Sequence, residues 1–598
     1  MGIHSDAHIC QCLSRLATLR RNSPVTISGH RRKTGEQFVE AILGLARGLL
    51  DLGLQPGDIV AICALNSDWF LEWLLAVTFV GGIAAPLNYR WSLDEARFAM
   101  EVVKPVMLVI DDCSSYWYSK LQRGTIPGLR WLVFMNSPSD CNNERFVLTT
   151  ETLRKRVLRS LSFNYLWAPE NAAIICFTSD CPWKQLWGRL ILMVVGMISK
   201  EVHDISQKNA KTANRTTGRP KGVTIRHSAL IVQSLAKIAI VNYGEDDVYL
   251  HTAPLCHIGG ISSAMAMLMV GGCHVLIPKF EANSALKAVE QLHVTSFITV
   301  PAIMADIVSL IRMKETWKGK ENVRKILNGG GGLSIELIKY VTIFFPRAKL
   351  LSAYGMTETC SSLTFMTLYD PTTDNSSHSF HVTCNIDPSL VHQPKGVCVG
   401  KAAPHVELRI SSEDCSHVGR ILTRGPHVML GYWGQIPLEA LSAGDDSWID
   451  TGDVGWIDDF GNVWLVGRSK GRIKSGGENV YPEEVEAILS QHLGVSGIVV
   501  VGLPDARLTE VVVACLQIRD NWRWADSCSD HLAGKKDQTL STQILRQFCR
   551  KMNLTGFKIP KSFVIWKKQF PLTSTGKLRR DEIRREVMSS SQILPSNL

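Results

Sequence analysis

The sequence holds sixteen cysteines but no CxxC pair. Cys10-Gln11-Cys12 has the wrong spacing for a zinc knuckle and the other thiols are scattered, which argues against a structural zinc site or a disulfide framework and for reduced, packed cysteines. There is also no membrane-length apolar run: residues 186–198 are interrupted by Gly188-Arg189, whereas a bilayer span needs about 20 residues. The N-terminus lacks a continuous apolar secretory core, and Asp6 stands where an acylation signal beginning at Gly2 needs Ser or Thr. Repeats of solenoid length are absent as well. Charge of one sign is concentrated only in short clusters such as His30-Arg31-Arg32-Lys33: 65 basic and 55 acidic residues leave a formal +10 dispersed along the chain. That balance helps attract small polyanions and gives no sign of nucleic-acid binding.

What is present is a globular composition, 45% hydrophobic and 20% charged over 598 residues, enough for large cores and more than one domain. Residues 36–52 have helical periodicity ending near Gly53, and 59–63 read as a buried strand. The βα rhythm recurs at 173–177, 275–278, 296–300 and 350–353, each leading into a glycine- or proline-bearing turn or a polar loop. The expected fold is therefore α/β: mostly parallel sheets flanked by helices, with ligand groups on the loops beyond the strand ends. Residues 400–431, with short alternating segments at 406–410 and 419–423, read as a small antiparallel β subdomain. A domain boundary is expected at Gly467-Arg468-Ser469-Lys470-Gly471, followed by a smaller α+β unit. Stretches 371–394 and 520–538 have loop composition.

Several polar strings stand on this frame. A hydroxyl- and glycine-rich turn followed by lysine suits phosphates, because backbone NH groups approach closely and the lysine adds charge. Here such a turn is split: Cys176-Phe177-Thr178-Ser179 stops at Asp180, and Thr216-Thr217-Gly218-Arg219-Pro220-Lys221-Gly222 resumes afterwards. Next come Tyr354-Gly355-Met356-Thr357-Glu358, then Asp450-Thr451-Gly452-Asp453 with Arg468 beyond it, an acid and a guanidinium able to chelate ribose hydroxyls. Gly476-Gly477-Glu478-Asn479 and Thr573-Ser574-Thr575-Gly576-Lys577 complete the series.

In this order the strings resemble the adenylate-forming superfamily of acyl-CoA synthetases, luciferases and adenylation domains, over nearly the whole chain. Within it, residues 8–13, 85–93, 243–251 and 325–331 resemble plant 2-succinylbenzoate-CoA ligases, which implies phylloquinone synthesis. Carried over, the resemblance implies an N-terminal domain, 1–467, a hinge, 468–471, and a mobile C-terminal lid, 472–598. It implies ATP, Mg²⁺ and coenzyme A as cofactors and a small carboxylic acid as substrate, with no nucleic-acid partner. Thr178, Ser179, Thr216, Thr217, Gly218 and Lys221 would form the phosphate loop, Thr357 would bind phosphate and Glu358 would hold Mg²⁺. Tyr354 would lie against adenine, Gly330 and Gly331 would line the adenylate channel, Asp453 and Arg468 would take the ribose, and His257 would line the acyl pocket. Lys577 would bridge the substrate carboxylate and the α-phosphate, and Lys470 would be the hinge residue. The runner-up substrates are other aryl or medium-chain acids.

Plainer readings compete with some of these. Cys256 and His257 could be a packed pair, and Lys577 with Arg579 and Arg580 a surface cluster. Glu483, Glu484 and Glu486 read as the solvated first turn of a helix rather than a metal site. The interruption, residues 180–215, has no periodic face. It is expected either as a mistaken exon boundary or as a genuine insertion in a non-enzymatic relative, and in both cases to impair adenylation severely. Ser596-Asn597-Leu598 is similar to a peroxisomal address with asparagine in place of the usual basic residue, and the relatives act in chloroplast or peroxisome.

Overall fold

The structure, a computed structural model, describes residues 7–91, 93–114, 126–136, 148–154, 163–178, 220–373, 396–412, 417–435, 448–468, 471–475, 478–505, 508–525, 538–552, 554, 556–572 and 578–589. Ser179, Thr216, Thr217, Gly218, Lys470, Lys577, the 186–198 run and the C-terminal tripeptide lie outside the described residues. Among the described residues no helix is long and apolar enough to cross a membrane. Their cysteines are free thiols, most of them buried.

Two compact units form: one from residues 1–384, 399–408 and 423–449, the other from 385–398, 409–422 and 450–598. The first unit is built on two sheets with helices packed against them. In one, Ile83–Pro86, Ile59–Cys63, Met107–Ile110, Trp131–Phe134 and Leu148–Thr149 run parallel in that spatial order, and Ala172–Thr178, Lys221–Arg226 and Gly431–Tyr432 extend the other edge. Every residue of Ile59–Cys63 is buried, as a parallel strand covered on both faces must be. In the other sheet, Lys349–Met356, Lys325–Asn328, Ser296–Thr299, Val248–His251, Cys273–Leu276 and Pro24–Ser28 run parallel in that order. Ser361–Tyr369 turns back antiparallel beside Lys349–Met356.

Helix Gly35–Asp51 shows how local sequence sets an element. Thr34 accepts from the Gln37 backbone while the Gln37 side chain caps the Thr34 amide, and Phe38, Val39, Ile42, Leu45 and Leu49 share the buried stripe. The basic run beside it, His30-Arg31-Arg32-Lys33, is used inside the fold. Arg31 reaches Asp68 at 2.6 Å and Lys33 reaches it at 2.8 Å, with Asp68 buried, and Lys33 also pairs with the fully buried Glu72.

In the second unit Ile449–Ile457 pairs antiparallel with Asn462–Arg468. A further sheet sets Val495–Asp505 against Thr509–Ile518, joined by Ile473–Ser475, Glu478–Val480 and Ser562–Ile565. The helices Pro482–Leu489, Thr542–Lys551 and Arg580–Ser589 belong to the same unit. Within the stretch expected to be loop, Trp522–Trp524 is a short strand paired with Gln538–Leu540, because its tryptophans pack on the unit's core.

Two corrections concern the acids at the start of Pro482–Leu489. Glu483 and Glu484 do occupy the first helical turn and Glu486 follows it, but the acids are not simply solvated: Glu484 is 8% exposed and bonded to Lys558 at 2.7 Å, and Glu486 is bonded to Arg580 at 2.5 Å. Burial pushes the Glu486 carboxyl above its ordinary value, against the pull of Arg580. Helical spacing alone placed these residues on a turn; the cations that cover them come from 74 and 94 residues further along the chain.

Candidate active site

The parallel strands Val248–His251, Ser296–Thr299, Lys325–Asn328 and Lys349–Met356 end together, and the loops leaving those ends carry the residues of interest. After the first, His257 stands at the N-terminal boundary of helix Ile258–Val270 without a side-chain capping bond, and a Cβ at Gly260 would come within 2.2 Å of the Pro254 carbonyl oxygen, so only glycine lets this turn close. After the third, Gly330 sits in the left-handed region at φ 71°, and the buried Asn328 amide donates to the Gly331 carbonyl at 2.6 Å. The glycine run is thus pinned by a buried side chain.

The fourth strand delivers Tyr354, half-buried, and then the short turn Thr357–Thr359. Gly355 is dictated by close approach: a Cβ there would lie 1.6 Å from the Ser361 carbonyl oxygen on the returning strand. The chain leaves the turn through two non-glycine residues with positive φ, Cys360 at 54° and Ser361 at 111°, a local strain that the surrounding sheet holds in place. Glu358 is only 3% exposed.

The interrupted hydroxyl- and glycine-rich turn is the most informative feature. Strands Ala172–Thr178 and Lys221–Arg226 pair antiparallel right up to the break, with Cys176 opposite Val223, Phe177 opposite Gly222 and Thr178 opposite Lys221. The two halves that the sequence separates therefore meet at the mouth of one hairpin. Register explains why. Ile174, Ile175, Cys176, Val223 and Ile225 are all buried, so both faces of the pair are packed and a one-residue slip would misplace every one of these side chains, while the entropy of closing the loop grows only with the logarithm of its length.

On the other side of Lys221–Arg226 lies Gly431–Tyr432, with Tyr432 opposite Val223. Tyr432 is the residue that sequence reasoning missed. Its hydroxyl donates to Glu358 Oε1 at 2.9 Å, and its ring lies 4.8 Å from Lys221 Nζ, a cation–π distance. The Met429 amide also donates to the Glu358 carbonyl at 2.9 Å. One buried phenol thus ties Lys221 to the acid of the Thr357-Glu358 turn. No spacing signals this, since Tyr432 and Glu358 are 74 residues apart and meet only through sheet pairing.

In the second unit Asp453 stands directly opposite Arg468 on paired strands, with 3.4 Å between Oδ1 and Nε. Arg468 is 54% exposed, and such a pair contributes only about 0–1 kcal/mol to stability. Among the described residues no group of three or more His, Cys, Asp or Glu side chains is arranged to hold a metal.

This set, a lysine-bearing hairpin, a carboxylate turn, a pinned glycine loop and an acid–guanidinium pair, coincides with a family match. Residues 13–179 and 216–433 match the family described as AMP-binding enzyme, and 484–577 match the AMP-binding enzyme C-terminal domain. The chain belongs to the AMP-binding enzyme family. The match stops at 179 and resumes at 216, so the family's pattern omits the 180–215 segment that the sequence marks as foreign.

Among AMP-binding enzymes, the chain is 54% identical over its full length to the full length of 2-succinylbenzoate--CoA ligase, chloroplastic/peroxisomal, of Arabidopsis thaliana. It is 28% identical to indoleacetate--CoA ligase of Aromatoleum aromaticum over 92% of each chain. Solved structures share the fold: o-succinylbenzoate CoA synthetase from Bacillus subtilis has a TM-score of 0.68 at 22% identity, covering 98% of this chain and 99% of that one. ATP-bound MatB from Rhodopseudomonas palustris has a TM-score of 0.71 at 21% identity, with the same coverage. The expected α/β architecture, a large N-terminal domain with a smaller C-terminal one, is that of the family.

Proposed function

We propose that this chain is an acid-thiol ligase that uses ATP to adenylate 2-succinylbenzoate and then transfers the acyl group to coenzyme A, releasing AMP and pyrophosphate. The observation that carries this reading is the 54% identity spanning both proteins end to end, too extensive to reflect the shared fold alone. Each site residue then has a physical task. Lys221 and Thr357, with Thr178, Ser179, Thr216, Thr217 and Gly218, hold the phosphates. Asp453 and Arg468 take the ribose hydroxyls, Tyr354 lies against the base, Gly330 and Gly331 leave room for the adenylate, and His257 lines the acyl side. Lys577 bridges the carboxylate and the α-phosphate, and Lys470 lies in the hinge, 468–471, between domains 1–467 and 472–598. Catalysis is electrostatic: charge builds on the phosphoryl oxygens, and fixed cations stabilise it without a covalent enzyme intermediate.

The donor set suits Mg²⁺. Glu358 offers a hard oxygen ligand, and Mg²⁺ takes one or two carboxylates, leaving its other positions to phosphate oxygens and water. Bound there, the ion would offset phosphate charge. Tyr432 orients that carboxylate, so Tyr432→Phe is expected to lower carboxylate-dependent ATP–pyrophosphate exchange about tenfold, the cost of losing one charge-assisted hydrogen bond, and to raise the Mg²⁺ concentration needed for half-maximal rate. An unchanged Mg²⁺ titration would count against this role.

The substrate is tested by following thioester formation with 2-succinylbenzoate, 4-coumarate and a medium-chain fatty acid. The reading predicts preference for the dicarboxylate by at least about 100-fold in kcat/KM, the scale on which buried polar groups discriminate between acids. Preference for either other acid would replace it. The Arabidopsis relative's name gives chloroplast and peroxisome, and we assign this chain to the same compartments, with Ser596-Asn597-Leu598 as its peroxisomal address.

A further inference from the structure

One buried cation in the first unit has no task in the scheme above. Lys237, on helix His227–Val241, is 0% exposed, and among the described residues its ammonium is bonded only to neutral hydroxyls: Ser262 Oγ at 2.6 Å, Ser263 Oγ at 3.1 Å and Ser361 Oγ at 3.3 Å. A buried ammonium without an anion is costly, and such groups normally come paired. Burial lowers this amine to about 7, and the neighbouring Cys360 thiol, itself raised to about 12 by burial, supplies no negative charge near neutrality.

Its surroundings connect it to the substrate side. Ser262 and Ser263 lie one turn into the helix that follows His257, and Ser361 follows the Thr357–Thr359 turn. Gln233, one helical turn before Lys237, donates to the Ser362 carbonyl at 2.7 Å and fixes the same strand. Ser361 is half-buried, so it is the accessible end of the cluster, with the ammonium behind it. Glu358 and Ser361 are three residues apart, which limits their separation along the chain to about 10 Å. A separation within that limit can be spanned by a short aryl dicarboxylic acid with one carboxylate at the phosphates and the other at Ser361.

We infer that Ser361, backed by Lys237, is the subsite for the carboxylate that is not activated. The inference rests on the 2-succinylbenzoate reading and specifies how that acid is recognised. Ser361 donates to the distal carboxylate, and Lys237 acts through the hydroxyl as its counter-charge. An acid without the second carboxylate leaves the ammonium with hydroxyl partners alone.

Two non-hydrolysable adenylate mimics test this on the full chain by calorimetric titration: the 5′-O-sulfamoyl adenosine conjugates of 2-succinylbenzoate and of 4-oxo-4-phenylbutanoate, which lacks only the ring carboxylate. Neither contains a diphosphate, so the interrupted loop does not enter the measurement. Wild type should bind the carboxylated mimic at least about 30-fold more tightly, and Lys237→Met should reduce that preference to under about 5-fold while changing the other mimic's affinity less than about 3-fold. Ser361→Ala, which leaves the buried amine in place, should reduce the same preference about tenfold. Thermal midpoints establish that each variant is folded, and if Lys237→Met does not fold, the Ser361→Ala result decides. An undiminished preference in the variants, an equal loss for both mimics, or no preference in wild type overturns the inference and leaves the ligase reading standing. Failure of wild type to bind either mimic overturns both.

Discussion

Replacing residues 180–215 with a single glycine is expected to raise carboxylate-dependent ATP–pyrophosphate exchange by at least about 100-fold over the chain as it stands. Two effects add. The segment between Thr178 and Lys221 shortens to several residues, which reduces its ordering cost by about 1–2 kcal/mol on the logarithmic dependence of loop entropy. The larger effect is geometric: phosphate-binding amides must be held to a fraction of an ångström, and a misplacement of about 1 Å costs on the order of 100-fold. Because Thr178 and Lys221 already face each other in register, the shortened chain has nothing to rearrange except the loop itself. Thermal stability should change little, since the hairpin strands are paired with the long segment present. Equal exchange in the two chains would show that the insertion is catalytically silent.

In the glycine-repaired chain, Lys577→Ala should reduce exchange by about 100- to 1,000-fold, the loss found when one preorganised charge is removed from a developing oxyanion, about 3–4 kcal/mol. Thioester formation from acyl-adenylate supplied directly should fall less than about threefold, because in the proposed scheme the phosphate charge that Lys577 neutralises develops only in the first half-reaction. This split between the two steps is the informative readout, since a general folding defect would depress both.

Much of the architecture was legible in the sequence because it is written locally. The buried strand at 59–63 lies where the apolar run put it, and helix Gly35–Asp51 differs from the expected 36–52 by one residue at each end. The strand expected at 350–353 extends to Lys349–Met356, since Gly355 allows pairing to continue where its sequence suggests a turn. Glycines whose role is close approach were visible as motif letters, but the atoms that require them, such as the Ser361 carbonyl against Gly355, belong to another strand.

The candidate site could be proposed from sequence where one short string suggests the chemistry, as at Thr357-Glu358 or Asp453, and not where two distant strings meet. Tyr432 beneath Lys221 and against Glu358 is the clearest example, and Lys237 beneath Ser361 is another. On a helical pattern, Lys237 reads as one more surface lysine; the packing of helix Ile258–Val270 and strand Ser361–Tyr369 against its own helix buries it. The same holds for Glu484 and Glu486, whose covering cations are remote in sequence. The interruption at 180–215 was the reverse case. It was conspicuous in sequence because the flanking motif halves are recognisable, and the structure adds that those halves still pair.

The most direct test of the central claim is ATP–pyrophosphate exchange in the glycine-repaired chain, measured with and without 2-succinylbenzoate. The account predicts exchange that appears only when the acid is present and is lost in the Lys577→Ala variant. Exchange that is absent with every carboxylic acid offered, or that persists undiminished without Lys577, would contradict it.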